Sequence, residues 1–136
     1  MTQDSKKVCC RQRFEDRPLL SDQTAGELEA LFKILGNRSR LRMLHAIVRA
    51  QELCVGDLAQ QVGMKPQAVS NQLQRLVDRR IVAYRRDGNN IIYRIVDPCV
   101  RMLLDVGLCI LEDWLSGTLT ESTPEAFVTL DVRQNF

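Results

Sequence analysis

One histidine, His45, serves the whole 136-residue chain, and that scarcity closes off most catalytic chemistry. A single imidazole cannot act as general base, partner of a nucleophile and metal ligand at once. The 7 glycines are scattered, so the sequence holds no phosphate-cradling loop, and no pair of carboxylates stands in an apolar setting. The chain is therefore not expected to be an enzyme. No apolar run is long enough to span a bilayer, and the polar N-terminus lacks the apolar core of a secretory signal, which places the expected protein in the cytoplasm with no membrane partner. Net charge is scarce too. The 19 Lys and Arg against 17 Asp and Glu leave only +2, too little for a coat that holds nucleic acid by electrostatics alone. Any such partner must be met by a local patch, and Lys65, Arg75, Arg79, Arg80, Arg85 and Arg86 supply one between positions 65 and 86.

The length fits one domain. Residues 1–20 are polar, carry the adjacent pair Cys9-Cys10 and contain the helix-breaking Pro18, and read as a mobile arm. Residues 21–117 read as the folded domain, and 118–136 as a C-terminal tail. Within the domain, Ser21-Asp22 caps a helix whose stripe is Ala25, Leu28, Leu31, Phe32 and Leu35, ended by Gly36. A further apolar helix runs from Leu41 to Val48 and includes His45, which is expected in the core. Asp97-Pro98 starts a long helix through Val100, Leu103, Leu104, Val106, Leu108, Leu111 and Trp114, ending near Ser116-Gly117.

Between these lies the informative stretch. Leu53, Val55, Leu58 and Val62 recur at helical spacing, Gly63 stops that helix, and Lys65-Pro66 opens the next with proline where a first turn tolerates it. On the second helix Val69, Leu73 and Leu76 form an inner stripe. Gln67, Ser70, Asn71, Gln74 and Arg75 point elsewhere, with amide, hydroxyl and guanidinium groups that match major-groove base edges in kind and reach. Ile81-Val82-Ala83-Tyr84 and Ile91 to Ile95 read as strands, and Arg85 to Asn90 as a basic hairpin turn whose Arg85, Arg86 and Asn89 would approach phosphates or the minor groove. Polar residues on a helix face can also simply meet water. The conjunction of paired helices, a tight turn, a polar reading face and a basic hairpin favours a reader of duplex DNA. The expected fold is mainly α with a small β-hairpin wing, a winged helix-turn-helix. Helices too apolar to be solvated alone, on either side of the reading unit, point to a homodimer on operator DNA, its interface formed by Leu28, Phe32 and Leu35 with Leu104, Leu108, Leu111 and Trp114.

Five cysteines, an odd number, do not make a disulfide framework in a reducing compartment. Cys9 and Cys10 stand in a polar arm where burial is not expected, and neighbouring thiols can turn toward one soft ion. Cys54 stands at the start of a helix, where peptide N–H groups favour a thiolate, although a core position is also open to it.

The stretch LEALFKILGNRSRLRMLHAIV, followed by ELCVGDLAQQVGMKPQAVSNQLQRLVDRRIVAYRRDGNNIIYRIVD, resembles the ArsR/SmtB family of metal-responsive transcriptional repressors over roughly residues 25–115. The resemblance implies a homodimer that occupies an operator and leaves it when an inducer binds. Asn71 stands where many relatives carry His; it can still pair with adenine through two hydrogen bonds, so the expected operator changes more than the fold. Thiolate-rich members bring arm cysteines onto a cysteine of the E-L-C-V segment, which implies a site at Cys9, Cys10 and Cys54. Gly56 replaces the second cysteine of the C-V-C found in cadmium and lead sensors. Three thiols suit As(III), the first choice, then Sb(III) or Hg(II), better than a four-sulfur Cd(II) or Pb(II) site. Asp97-Pro98-Cys99 falls where zinc-sensing relatives begin a site, but the His and Glu partners are mostly missing, so Cys99 and Cys109 read as core or interface filler. A thiol redox or persulfide sensor of the same fold, in which Cys54, Cys99 or Cys109 is oxidised, is the alternative.

Overall fold

The first two α-helices start at side chains that satisfy one of their free amides. The computed structural model describes residues 13–117. After a 3-10 turn at Phe14–Asp16, Ser21 opens α1 (Asp22–Leu35), where the Thr24 amide donates to Ser21 Oγ at 3.1 Å. Asn37 does the same for α2 (Arg38–Ala50), its Oδ1 accepting from the Arg40 amide at 3.1 Å. That helix therefore starts before the expected Leu41, because the cap rather than the first apolar residue sets its beginning. Next come α3 (Val55–Val62), ended by Gly63 at φ +67°, and α4 (Pro66–Asp78), with Pro66 in its first turn and Lys65 as N-cap. The last helix, α5, runs Pro98–Ser116.

The core forms where the inner stripes of α2, α3 and α4 meet. Met43, Leu44 and Ile47 of α2, Leu58 of α3, and Val69, Leu73 and Leu76 of α4 are wholly buried. Truncating any of the buried leucines to alanine should cost about 2–5 kcal/mol. His45 is the exception on α2: it was expected in the core and is exposed, because the buried arc at 43, 44 and 47 leaves position 45 on the opposite side.

The sheet has three antiparallel strands in the order β1-β3-β2, with β1 at Leu53–Cys54, β2 at Val82–Asp87 and β3 at Asn90–Ile95. Leu53 pairs with Tyr93 and Cys54 with Ile92. Leu53 was expected on the helix that continues through Val62; it is instead the first residue of β1. Its apolar spacing to Leu58 fits both conformations, since it is buried in either, and only pairing with β3 decides between them. Ile81, expected in a strand, precedes β2, and its amide bonds the Leu76 carbonyl at 3.0 Å to close α4. The hairpin is tighter than expected. Asp87 pairs with Asn90, so the loop is Gly88-Asn89 alone, with Gly88 at φ +61° as a two-residue turn with glycine first requires, and Arg85 and Arg86 lie within β2.

Chain contacts fall into two units, Met1–Arg101 and Met102–Phe136, divided inside α5. No helix among the described residues is long and apolar enough to cross a membrane.

Candidate nucleic-acid interface and thiol site

With Val69, Leu73 and Leu76 turned inward, α4 has no choice but to present its polar residues outward. Gln67, Asn71, Gln74 and Arg75 are exposed, Ser70 is half-buried, and Lys65 stands exposed at the helix entrance. These side chains do not all hang free. Gln67 Nε2 donates to Asn71 Oδ1 at 3.1 Å, one helical turn away, and Gln74 Nε2 to Asp78 Oδ1 at 2.8 Å. The first contact holds two of the expected base readers in a shared orientation. The α3–α4 pair is fixed from behind by Arg42, whose Nη1 donates to the Val62 carbonyl at 3.0 Å and satisfies one of the orphan acceptors at the end of α3.

The wing extends from the same body. Arg85, Arg86 and Asn89 are exposed, the arginines on β2 and the asparagine at the tip. Arg85 is engaged: its Nη2 lies 3.0 Å from Glu52 Oε2 and its Nη1 3.8 Å from Asp87 Oδ2. Arg86 has no ion-pair partner among the described residues. Tyr84 and Tyr93 face one another across β2 and β3, ring centroids 5.8 Å apart. Burial, and secondarily Tyr84, pushes the Tyr93 hydroxyl above its ordinary pKa of 10.0.

Cys54 is a free, half-buried thiol with two structural roles, last residue of β1 and N-cap of α3. It sits where the wing sheet joins the helix-turn-helix, opposite Ile92, which in turn pairs with Arg85. Among the described residues no three His, Cys, Asp or Glu side chains gather to hold an ion. A site at Cys54 thus needs donors from outside them, and Cys9 and Cys10 lie outside the described residues. On α5, Cys109 is an exposed free thiol, whereas the half-buried Cys99, expected as filler, is disulfide-bonded. Residue spacing carries no signal for such a bond, since a sulfur's partner is fixed by the fold.

Two side chains in contact with these elements, Glu52 on Arg85 and Arg40 on Gln72, escaped sequence reasoning. Arg40 is buried, with Nε donating to Gln72 Oε1 at 2.9 Å and Nη1 to the Ile34 carbonyl at 2.6 Å. The N-R-S-R run that caps and opens α2 was the available signal, with Arg40 the third residue of a capped helix.

Of the residues expected at a dimer interface, Leu28 and Phe32 of α1 are 39% and 50% exposed, Leu108, Leu111 and Trp114 of α5 are also exposed, and Leu104 is half-buried. Leu35, expected with them and on the same helix face, is buried within its own chain, at the end of α1 where Arg40 of α2 binds the Ile34 carbonyl.

Known proteins share this arrangement. A model described as MarR family matches residues 37–90. The chain is 42% identical over 85 residues to a transcriptional repressor SmtB homolog of a Synechocystis strain, a match covering 62% of this chain and 64% of that one, just under two thirds. The crystal structure of the antimony-specific transcriptional repressor AntR is 58% identical, with a TM-score of 0.67 over 76% of this chain and 96% of that chain. The homodimeric winged helix-turn-helix DNA-binding domain of Mb0332 from Mycobacterium bovis, 28% identical, superposes with a TM-score of 0.62 over 74% of this chain and 95% of that one. These relatives are DNA-binding regulators, not enzymes. By its reading helix, its wing and this likeness, the chain belongs to the ArsR/SmtB family of winged-helix metal-responsive transcriptional repressors.

Proposed function

We propose that this chain is a repressor that grips operator DNA as a homodimer in the cytoplasm and lets go when a soft thiophilic ion is held by cysteine thiolates. The observation that carries the DNA-binding half is α4 itself: Gln67, Asn71 and Arg75 exposed on one side, Val69, Leu73 and Leu76 buried on the other; the exposed Lys65, Arg85, Arg86 and Asn89 are assigned to the DNA backbone. Dimerisation is supported by the apolar side chains that α1 and α5 leave exposed, and by the homodimeric relative. Two reading helices can then meet half-sites about one duplex turn apart. Sedimentation of the ion-free protein at micromolar concentration should give a dimer; a monomer that still binds operator overturns that part.

The inducer is proposed to be As(III) or Sb(III), held by Cys54 with Cys9 and Cys10. Three thiolates suit these trigonal ions, and the similarity to an antimony-specific repressor supports the class. Cys54 joins the wing sheet to α3, so tying it to the arm can change how both reading helices present themselves. Release requires the ion to favour the DNA-free conformer, and a coupling of about 2–3 kcal/mol lowers operator affinity some thirty- to a hundred-fold. The test is a titration of fully reduced protein with arsenite, antimonite, Hg(II) and Cd(II), following thiolate charge-transfer absorbance and operator release together. Arsenite or antimonite acting first supports the assignment, and Cd(II) acting first removes it.

The disulfide at Cys99 favours a second reading, a thiol redox sensor. Release by peroxide or polysulfide, with none by any ion under reducing conditions, would establish it.

A further inference from the structure

Arg40 is the only buried charged residue among the described residues, 8% exposed, and no carboxylate pairs with it there. A buried cation without a carboxylate is costly unless its hydrogen bonds are well made, and these are. Its guanidinium donates to the Ile34 carbonyl at 2.6 Å, in the last turn of α1 where the negative end of the helix offsets the charge, and to Gln72 Oε1 at 2.9 Å. Its own amide is capped by Asn37. One side chain therefore binds the end of α1, the start of α2 and the middle of α4.

The α4 partner is placed where this matters. Gln72 lies between Asn71, exposed, and Leu73, wholly buried. The apolar stripe of Val69, Leu73 and Leu76 holds α4 to the core through contacts that have no direction, so it resists separation far more than small rotation about the helix axis. A 2.9 Å hydrogen bond to a planar guanidinium is directional and does resist rotation.

We propose that Arg40 is a positioning residue for sequence reading: through Gln72 it sets the rotation of α4, and hence the angle at which Gln67 and Asn71 present to base edges, relative to α1. The inference rests on the reading of the chain as a DNA-binding repressor and adds the group that determines its specificity. Because the other fork of Arg40 is anchored at Ile34, a shift of α1, which carries the exposed Leu28 and Phe32, is passed to the reading helix through this group.

The experiment compares full-length parent, Arg40→Lys, Gln72→Met and Gln72→Glu on a duplex selected by the parent from a randomised library and on a random-sequence duplex, at several salt concentrations and well below each variant's melting temperature. Arg40 is buried and cannot touch DNA, so Arg40→Lys isolates positioning from contact. The expected result is a fall of about ten-fold or more in the ratio of selected to random affinity for Arg40→Lys and Gln72→Met, with random-sequence affinity and its salt slope unchanged, and recovery of most of the ratio in Gln72→Glu. A lowered melting temperature with the ratio intact in Arg40→Lys reduces the residue to a structural role and overturns the proposal. A parent chain that binds no duplex in a salt-dependent way overturns the repressor reading itself and this inference with it.

Discussion

Glu52 Oε2 lies 3.0 Å from Arg85 Nη2, so the residue before β1 holds a wing arginine that the proposed function assigns to DNA phosphate. Both side chains are about half exposed, and such pairs contribute no more than about 1 kcal/mol, so phosphate can displace the carboxylate. Glu52→Gln removes the competitor and a negative charge near the backbone. It should tighten binding to all duplexes alike, by a few-fold at low salt, with little change in melting temperature. Arg85→Ala should weaken all duplexes and flatten the salt slope by about one. Titrations across salt concentrations check both, and a sequence-dependent effect of either change would place Arg85 among the base readers instead.

Asn71 should behave differently from the wing. Asn71→Ala is expected to cost about 1–3 kcal/mol on the preferred operator while leaving random-sequence binding nearly intact. Since Gln67 Nε2 donates to Asn71 Oδ1, Gln67→Ala should also relax discrimination, by loosening its neighbour, and the double variant should lose less than the sum of the two. Equal losses on specific and random DNA would take Asn71 out of the reading set.

Cys54→Ser should leave operator binding unchanged and abolish release by arsenite or antimonite in reductant, as should Cys9→Ser combined with Cys10→Ser. Cys99→Ser and Cys109→Ser should respond to the ion like the parent under the same conditions. A Cys54→Ser protein that still lets go at the parent's ion concentration, beside a Cys99→Ser protein that does not, would move the sensing site to α5.

Tyr93 supplies a pH test of the wing. Its folded-state pKa is raised by burial, so above the unfolded value near 10 the unfolded chain loses a proton that the folded one keeps. Stability is then whole below pH 10 and falls as pH rises beyond it, by up to about 1.4 kcal/mol per pH unit while only the unfolded form ionises. Tyr93→Phe should shallow that alkaline loss in chemical-denaturation curves, and a parent and variant with identical alkaline slopes would refute it.

Much of the site was legible because local rules govern it. The α4 stripe at 69, 73 and 76 has one periodic solution, Pro66 is held to the φ of a first helical turn, Gly63 freely takes the left-handed φ that ends a helix, and a helix buried on that side must expose Gln67 and Asn71. The hairpin was visible as a basic turn. Its length was not, because Asp87 and Asn90 are as acceptable in a loop as in the final ladder pair that joins them.

What the sequence by itself determined is therefore whatever depends on neighbours within a turn or two: the cap at Ser21, the apolar stripes, the reading face and its resemblance to a repressor family. Tertiary structure alone decided the rest. Leu53 becomes a strand residue because β3 is beside it, His45 is exposed because the core lies on the other side of α2, and Cys54 sits in the joint between wing and reading helices. Arg40 and Gln72 are 32 positions apart, as Glu52 and Arg85 are 33. Pairings over such distances are set by how helices and strands close on one another, and no local pattern of residues encodes which polar groups will be left facing each other when they do.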